Sequence, residues 1–286
     1  MTRLADRRDT PSVPGYELTH SLGGGPLSRV FAARCRRTDA ACAVKLLRDE
    51  MADDATAVKL LRREARAGLL VRHPHLVRVL GARLTRPPYF LVMEMLPGEP
   101  LRQRLRREYA LDVASAVWAA RQTAEALAAL HRAGFVHADV KPENVRLVND
   151  GRAVLIDLGF AHRPGENRPF FEKGFILGTA NYLAPELCRR DATDAPANDL
   201  FSLGVMLFEM LTGELPYPAG SVREVMRAHE TAEPADLRDY PGAWPPRLAG
   251  LVRRLLARRP GQRPTAAEAV RELIALEIAA LRRRGA

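Results

Sequence analysis

Residues 135–145 read Phe-Val-His-Ala-Asp-Val-Lys-Pro-Glu-Asn-Val. A cation, two carboxylates and an amide are gathered within six positions, Asp139 to Asn144. The stretch follows a helical pattern. Asp112 is an expected N-cap, and Val113, Val117, Ala120, Ala124 and Leu127 recur at helical spacing up to Gly134. Shortly afterwards Val154-Leu-Ile-Asp-Leu-Gly159 reads as an apolar strand ending in Asp157, and residues 179–186 read Thr-Ala-Asn-Tyr-Leu-Ala-Pro-Glu. Taken singly, Asp139, Asn144 and Asp157 are ordinary turn formers and caps.

Outward from this centre the chain changes character near residue 97. Before it, Tyr16–Leu22, Arg29–Arg34, Ala41–Leu47, Leu76–Arg83 and Tyr89–Met95 read as five short strands. Residues 54–71 read as one amphipathic helix among them. After the Leu96-Pro97-Gly98 break the pattern is mostly helical. Asp199–Leu211 is a helix closed by Gly213, and Thr265-Ala-Ala-Glu268 is a capping box opening the last one. The expected fold is α+β with two lobes and a cleft between them. Residues 1–14 are expected as a flexible lead, 15–278 as one domain (small lobe about 15–96, large lobe about 97–278), and 279–286 as a basic tail.

Composition narrows the class. The chain has 286 residues, 47% hydrophobic and 27% charged, which suits a folded soluble domain. Its net charge of +10 comes from 44 Lys and Arg against 34 Asp and Glu, scattered over helical stretches, so no nucleic-acid partner is expected. Three cysteines, Cys35, Cys42 and Cys188, lack metal-ligand spacing and point to a reducing compartment. Cys35 and Cys42 flank a hairpin and are read as small half-buried side chains. No apolar run reaches the roughly 18–20 residues of a membrane span, and the first residues lack the apolar core of a signal peptide. A cytoplasmic location is expected.

Leu22-Gly-Gly-Gly-Pro-Leu-Ser-Arg-Val30 lies between two predicted strands. Glycines let backbone N–H groups approach a polyphosphate, although three of them also make an ordinary turn. Lys45 sharpens the reading. It lies in the apolar run Ala-Cys-Ala-Val-Lys-Leu-Leu, where an ammonium needs a partner or a ligand. Glu64, nineteen residues on, is that partner if the helix turns the right face.

Together these segments resemble the eukaryotic-like Ser/Thr protein kinases of bacteria, over about residues 16–275. The resemblance implies ATP as phosphoryl donor, Mg²⁺ (with Mn²⁺ as an alternative) as cofactor, and a protein Ser or Thr hydroxyl as acceptor. It implies that Asp139 handles the hydroxyl proton, Lys141 the transferring phosphoryl group, and Asn144 and Asp157 the metal. Lys45, oriented by Glu64, would hold the α- and β-phosphates. Leu22, Gly23, Gly24, Gly25, Ser28, Val30, Ala43, Met93, Glu94 and Leu96 would line the nucleotide, with Met93 as gatekeeper. Thr179 would shape the substrate pocket, and with Lys141 it favours serine or threonine over tyrosine. Glu186, Arg263 and Asp199 would be structural, the first two as a pair and the third under the catalytic loop.

Several positions depart from the family pattern. Ser28 replaces the third glycine, and Pro26 sits at the loop tip, which predicts a stiffer loop. Arg146 stands where an apolar floor under adenine is usual, so it either stacks on the base or turns aside. Gly68 replaces a larger apolar residue four after Glu64, leaving room for a regulatory protein partner to seat that helix. Ala138 replaces the arginine that pairs with a phosphorylated activation segment. Between Asp157 and Glu186 the only hydroxyl side chains are Thr179 and Tyr182. Segment phosphorylation is therefore not expected to switch the enzyme, and Phe170, Phe171 and Phe175 are expected to pack the segment instead. A pseudokinase scaffold and a small-molecule kinase are the alternatives.

Overall fold

The computed structural model describes residues 11–168, 178–188, 195–217 and 220–284. The chain divides into two compact units. One contains residues up to Arg72 together with Val77–Pro97, and the other contains His73–Leu76 and everything from Gly98 onward.

The first unit is an antiparallel sheet of β1 (Tyr16–Gly24), β2 (Ser28–Cys35), β3 (Ala41–Leu47), β4 (Val79–Arg83) and β5 (Phe90–Glu94), in the order β1-β2-β3-β5-β4. Successive side chains of a strand point to opposite faces. On β3 this sends Cys42, Val44 and Leu46 to one face, where they pack with Phe31, Ala33, Phe90 and Val92. Leu47 goes to the other, against Ala57, Val58, Leu61 and Ala65 of α1 (Ala55–Leu70). Lys45 shares that second face by the same alternation. Helix α1 begins where Asp54 accepts hydrogen bonds from the backbone N–H groups of Thr56 and Ala57. Full burial of Val44 or Leu91 stabilises this unit by about 1.5–3 kcal/mol each.

The second unit holds a small sheet of β6 (Gly98–Pro100), β7 (Val145–Val148) and β8 (Ala153–Leu155) beside helices α2 (Leu101–Glu108), α3 (Val113–Arg132), α4 (Pro196–Thr212), α5 (Val222–Thr231), α6 (Pro246–Leu255) and α7 (Ala266–Arg284). Every residue of α4 from Asn198 to Leu211 is buried, as an all-round apolar helix requires. Gly204 lets α6 approach: a Cβ there would stand 2.7 Å from that of Leu255. Gly213, at φ 77°, ends α4 in the left-handed conformation.

The expected α+β class, with a five-stranded sheet followed by a mostly helical part, is observed. Some boundaries are corrected. Val13, expected in the flexible lead, is 3% exposed because it fills the first core face beside Tyr16 and Leu18. Leu76 does not belong to β4; it bridges Leu155 in the second unit, whose N–H bonds to the His75 carbonyl. The strand expected to run to Asp157 ends at Leu155. The expected basic tail from residue 279 continues α7 to Arg284, since Ala279, Ala280 and Leu281 favour helix. Cys35 and Cys42 are free thiols, the second buried.

His229 of α5 is fully buried between Tyr217 and Phe201, with ring centres 4.5 and 5.5 Å away. Among the described residues, no hydrogen bond of normal geometry reaches either ring nitrogen. Burial pushes its pKa down to about 4, with only the Leu183 backbone pulling the other way. The unfolded chain therefore binds more protons than the native state between pH 6.5 and about 4, and stability falls as pH drops through that window. The loss approaches ~3 kcal/mol at its acid end. Urea denaturation from pH 7.5 to 4.5 should show this slope, and His229→Phe should remove that part of it. An unchanged slope in the variant would assign it elsewhere.

Candidate active site

In the first unit, Lys45 Nζ reaches both carboxylate oxygens of Glu64, at 3.0 and 2.8 Å. Glu64 is 2% exposed, so its charge is held by this pair rather than by water. The glycine loop closes on itself: the Gly25 N–H donates to the Ser28 carbonyl at 2.9 Å, and Arg48 Nε donates to the Gly25 carbonyl at 3.0 Å. A Cβ on Gly24 would stand 2.6 Å from the Ser28 carbonyl, so this turn requires glycine. In the ladder Val30 lies opposite Lys45, and Ala43 opposite Met93. Met93 and Leu96 are buried. The Glu94 N–H is used by the Arg78 carbonyl, and its carboxylate accepts the Arg78 N–H at 2.8 Å.

In the second unit, Asp199 is buried completely near the start of α4. Its Oδ2 accepts from the His137 N–H and its Oδ1 from the Ala138 N–H, both at 2.8 Å, and His131 Nε2 lies 2.8 Å from Oδ2. Burial alone would raise this carboxyl, yet His131 and the backbone donors hold it below the usual carboxylate range. Gripping two successive N–H groups accompanies a left-handed Ala138, at φ 65°.

That turn delivers Asp139, 6% exposed, into a tight cluster. Its Oδ1 accepts from the Thr179 hydroxyl at 2.9 Å. Its Oδ2 accepts from Asn144 Nδ2 at 2.8 Å and lies 2.7 Å from Lys141 Nζ, which also donates to Thr179 Oγ1 at 2.6 Å. Asn144 ends a single 3₁₀ turn, Pro142–Asn144, and its carbonyl accepts the N–H of Ile156, the residue before Asp157. Asp157 is left-handed, at φ 62°, and its Oδ1 accepts the Gly159 N–H at 3.2 Å. Glu186 is chelated by Arg263 at 2.6 and 2.8 Å and receives Asn198 Nδ2 at 2.9 Å.

The structure thus brings Lys45 to Glu64 in one unit, and Asp139, Lys141, Asn144 and Thr179 together in the other. Arg146 turns aside: its Nη2 donates to the Gly98 carbonyl at 2.7 Å, and burial lowers its pKa. The aromatic residues 170, 171 and 175 fall outside the described residues. Sequence reading missed His131 and Arg102. His131 sits in the last turn of α3 with no motif to mark it, and Arg102 is one arginine among many on α2.

A five-stranded sheet carrying a buried Lys–Glu pair, and a helical unit carrying an Asp–Lys–Asn–Thr cluster, define a phosphoryl-transfer class of protein. Residues 16–273 match the protein kinase domain, and the chain belongs to that family. It is 34% identical over 251 residues to the serine/threonine-protein kinase PknD of Mycobacterium tuberculosis, covering 87% of this chain and 37% of that protein. It is 34% identical to the serine/threonine-protein kinases drp72 of Corynebacterium efficiens, over 84% of this chain and 47% of that protein. It is likewise 34% identical to the serine/threonine-protein kinase PkaA of Streptomyces coelicolor, over 90% of this chain and 49% of that protein. The chain therefore spans less than half the length of these three relatives.

Asp199→Ala leaves two buried N–H groups unpaired, at about 1–3 kcal/mol each. Urea denaturation should place the loss near 3 kcal/mol. A loss under 1 kcal/mol would mean that the loop is held by other contacts.

Proposed function

We propose that this chain is an ATP-dependent protein kinase that phosphorylates serine and threonine in protein substrates. The observation that carries the reading is the sharing of one buried carboxylate, Asp139, by Lys141, Asn144 and the Thr179 hydroxyl. Phosphoryl transfer depends mainly on positioning and charge neutralisation, and this cluster supplies both.

In this reading Asp139 accepts the proton of the substrate hydroxyl as that oxygen bonds to the γ-phosphorus. The bond from the γ-phosphorus to the bridging β-oxygen breaks, and ADP leaves with the electron pair. Lys141, already beside Asp139, neutralises the phosphoryl oxygens. Thr179 limits the approach of the acceptor. Lys45 holds the α- and β-phosphates while Glu64 fixes its ammonium, and the loop Leu22–Val30, with Ala43, Met93, Glu94 and Leu96, receives the nucleotide. Gly25 already uses its N–H within the loop, so fewer of the loop's donors face phosphate.

The donor set suits a hard divalent ion. With Asn144 Nδ2 turned to Asp139, its amide oxygen is the atom left for a metal, and Asp157 adds a carboxylate. Among the described residues no group of three or more His, Cys, Asp or Glu forms a metal cage. Such a site fits Mg²⁺, or Mn²⁺, completed by phosphate oxygens and water. The ion would neutralise charge developing on the phosphates.

Control by segment phosphorylation is not part of this reading. Ala138 offers no cation, and the Thr179 and Tyr182 hydroxyls are both engaged, Tyr182 with Glu209 at 2.5 Å. Gly68 is buried on α1, where a regulatory protein would act by seating the helix. Among the described residues no helix is long and apolar enough to cross a membrane. A cytoplasmic site of action fits the free cysteines.

Wild-type protein should transfer radiolabel from ATP to a generic protein substrate. Asp139→Asn and Lys45→Met should each lower the rate by about 10²–10⁴. Nucleotide binding without transfer would return the pseudokinase alternative, and transfer only to a metabolite the small-molecule one. In a separate measurement, phosphatase treatment of the purified protein should leave its rate unchanged. Activity lost together with a phosphate on Thr179 or Tyr182 would sink the claim of phosphate-independent control.

A further inference from the structure

Arg102 of α2 meets three elements at once. Its Nε donates to Glu143 Oε1 at 2.7 Å, its Nη1 to Glu209 Oε1 at 2.6 Å, and its Nη2 to the Tyr182 hydroxyl at 2.5 Å. The Tyr182 hydroxyl in turn donates to Glu209 Oε2 at 2.5 Å. Glu143 lies in the 3₁₀ turn between Lys141 and Asn144, Glu209 lies on α4, and Tyr182 lies three residues after Thr179. The guanidinium fork suits this task, because it serves two carboxylates and a phenol in one plane. Tyr182 is 5% exposed, and burial beside Glu209 keeps it protonated and therefore a donor. Its other end is also fixed, since Ser202 Oγ donates to the Tyr182 carbonyl at 2.6 Å.

Two of these contacts bracket the Asp139 cluster. Glu143 is adjacent to Asn144, and Tyr182 belongs to the same 3₁₀ turn that Thr179 precedes. Asp139, Lys141 and Thr179 make contact only if the loop 135–145 and the segment 178–186 keep one mutual placement. Ala138 contributes no side chain to that placement beyond a methyl group. Besides Lys141, which reaches Thr179 from the loop itself, a cation that spans loop and segment comes from α2.

We propose that Arg102 is a positioning residue that ties the segment 178–186 to the loop 135–145 without phosphorylation, and so sets the Thr179 side of the protein-substrate site. This rests on the protein kinase reading above. The tie lies on the acceptor side: Arg102, Glu143, Tyr182 and Glu209 are all in the second unit, while the glycine loop, Lys45 and Glu64 are in the first. Affinity for ADP without metal, which those first-unit residues receive, is therefore expected to be insensitive to it.

The test compares the full chain with its Arg102→Met and Arg102→Lys forms. In Arg102→Met, kcat/KM for a protein substrate should fall at least tenfold, ADP affinity without metal should stay within twofold, and backbone amides over 180–187 should exchange hydrogen faster. Arg102→Lys should recover part of the loss, since an ammonium reaches one carboxylate but cannot span both and the phenol. Unchanged kcat/KM, unchanged exchange, or ADP affinity falling in step with kcat/KM would each overturn the proposal. If Arg102→Met does not fold, Glu143→Gln cuts only the loop arm at a half-exposed carboxylate. It should cost about threefold in kcat/KM with ADP affinity intact, and no loss would overturn the proposal. A wild-type chain inactive on any protein substrate would defeat the kinase reading, whereas the exchange comparison would still decide whether Arg102 makes the tie.

Discussion

A fully buried carboxylate governs the second unit. Asp199 has no contact with water, and an ionised group in that position is tolerated only when its lone pairs are used. They are used by two consecutive backbone N–H groups and by His131. Consecutive N–H groups converge on one acceptor only where the chain turns sharply, and Ala138 takes the left-handed conformation there. The direction in which Asp139 leaves that turn follows from the grip. Thr179, Lys141 and Asn144 then find their acceptor within 2.9 Å. Asp199 does no chemistry itself in this scheme; it fixes the backbone on which the reacting side chains stand.

The first unit applies the same logic through strand alternation. Lys45 follows Val44 on β3, and a one-residue slip would send it to the face lined by Phe31 and Phe90. The register places it instead toward α1, which carries Ala57, Leu61, Glu64 and Ala65 on one buried stripe. Glu64 is therefore buried by the packing of its neighbours and needs the ammonium as much as the ammonium needs it. Removing either partner would take this contact from the other's charge, which is why the pair reports the seating of the helix.

The sequence made the fold class legible because its patterns are local. The alternation in 41–47, the helical spacing in 113–127, the Thr265–Glu268 box and the glycine at 213 each act within a few residues. Lys45, Asp139, Asn144 and Thr179 were legible because each lies in a short motif whose residue types make sense only together. What escaped depends on contacts far apart in sequence. Val13 is buried because β2 and β5 present an apolar face that it covers together with Tyr16 and Leu18, and nothing in residues 1–14 states this. Leu76 leaves its expected strand because Leu155, almost eighty residues later, offers a bridge. Arg102 is one of several arginines on α2, and only the arrival of Glu143, Tyr182 and Glu209 distinguishes it. Arg146 left two orientations open, and the Gly98 carbonyl, supplied by the strand β6 beside it, selects the one that turns aside.

Ala138 also reads differently once these contacts are known. An arginine at that position would add a cation on the loop that is satisfied only when a phosphate arrives, so the loop and segment would meet conditionally. Here the cation sits on α2 and its anionic partners are encoded in the chain, as Glu143 and Glu209, so they are always present. A carboxylate pair chelating one guanidinium also makes shorter demands on the segment than a phosphate does, because only the Tyr182 hydroxyl must come from it. The segment thus needs no modifiable hydroxyl of its own beyond Thr179, which Asp139 already engages. In the proposed arrangement, the alanine in the loop and the few hydroxyls in the segment belong together, and the Arg102 ion pairs take the place of a condition on phosphorylation.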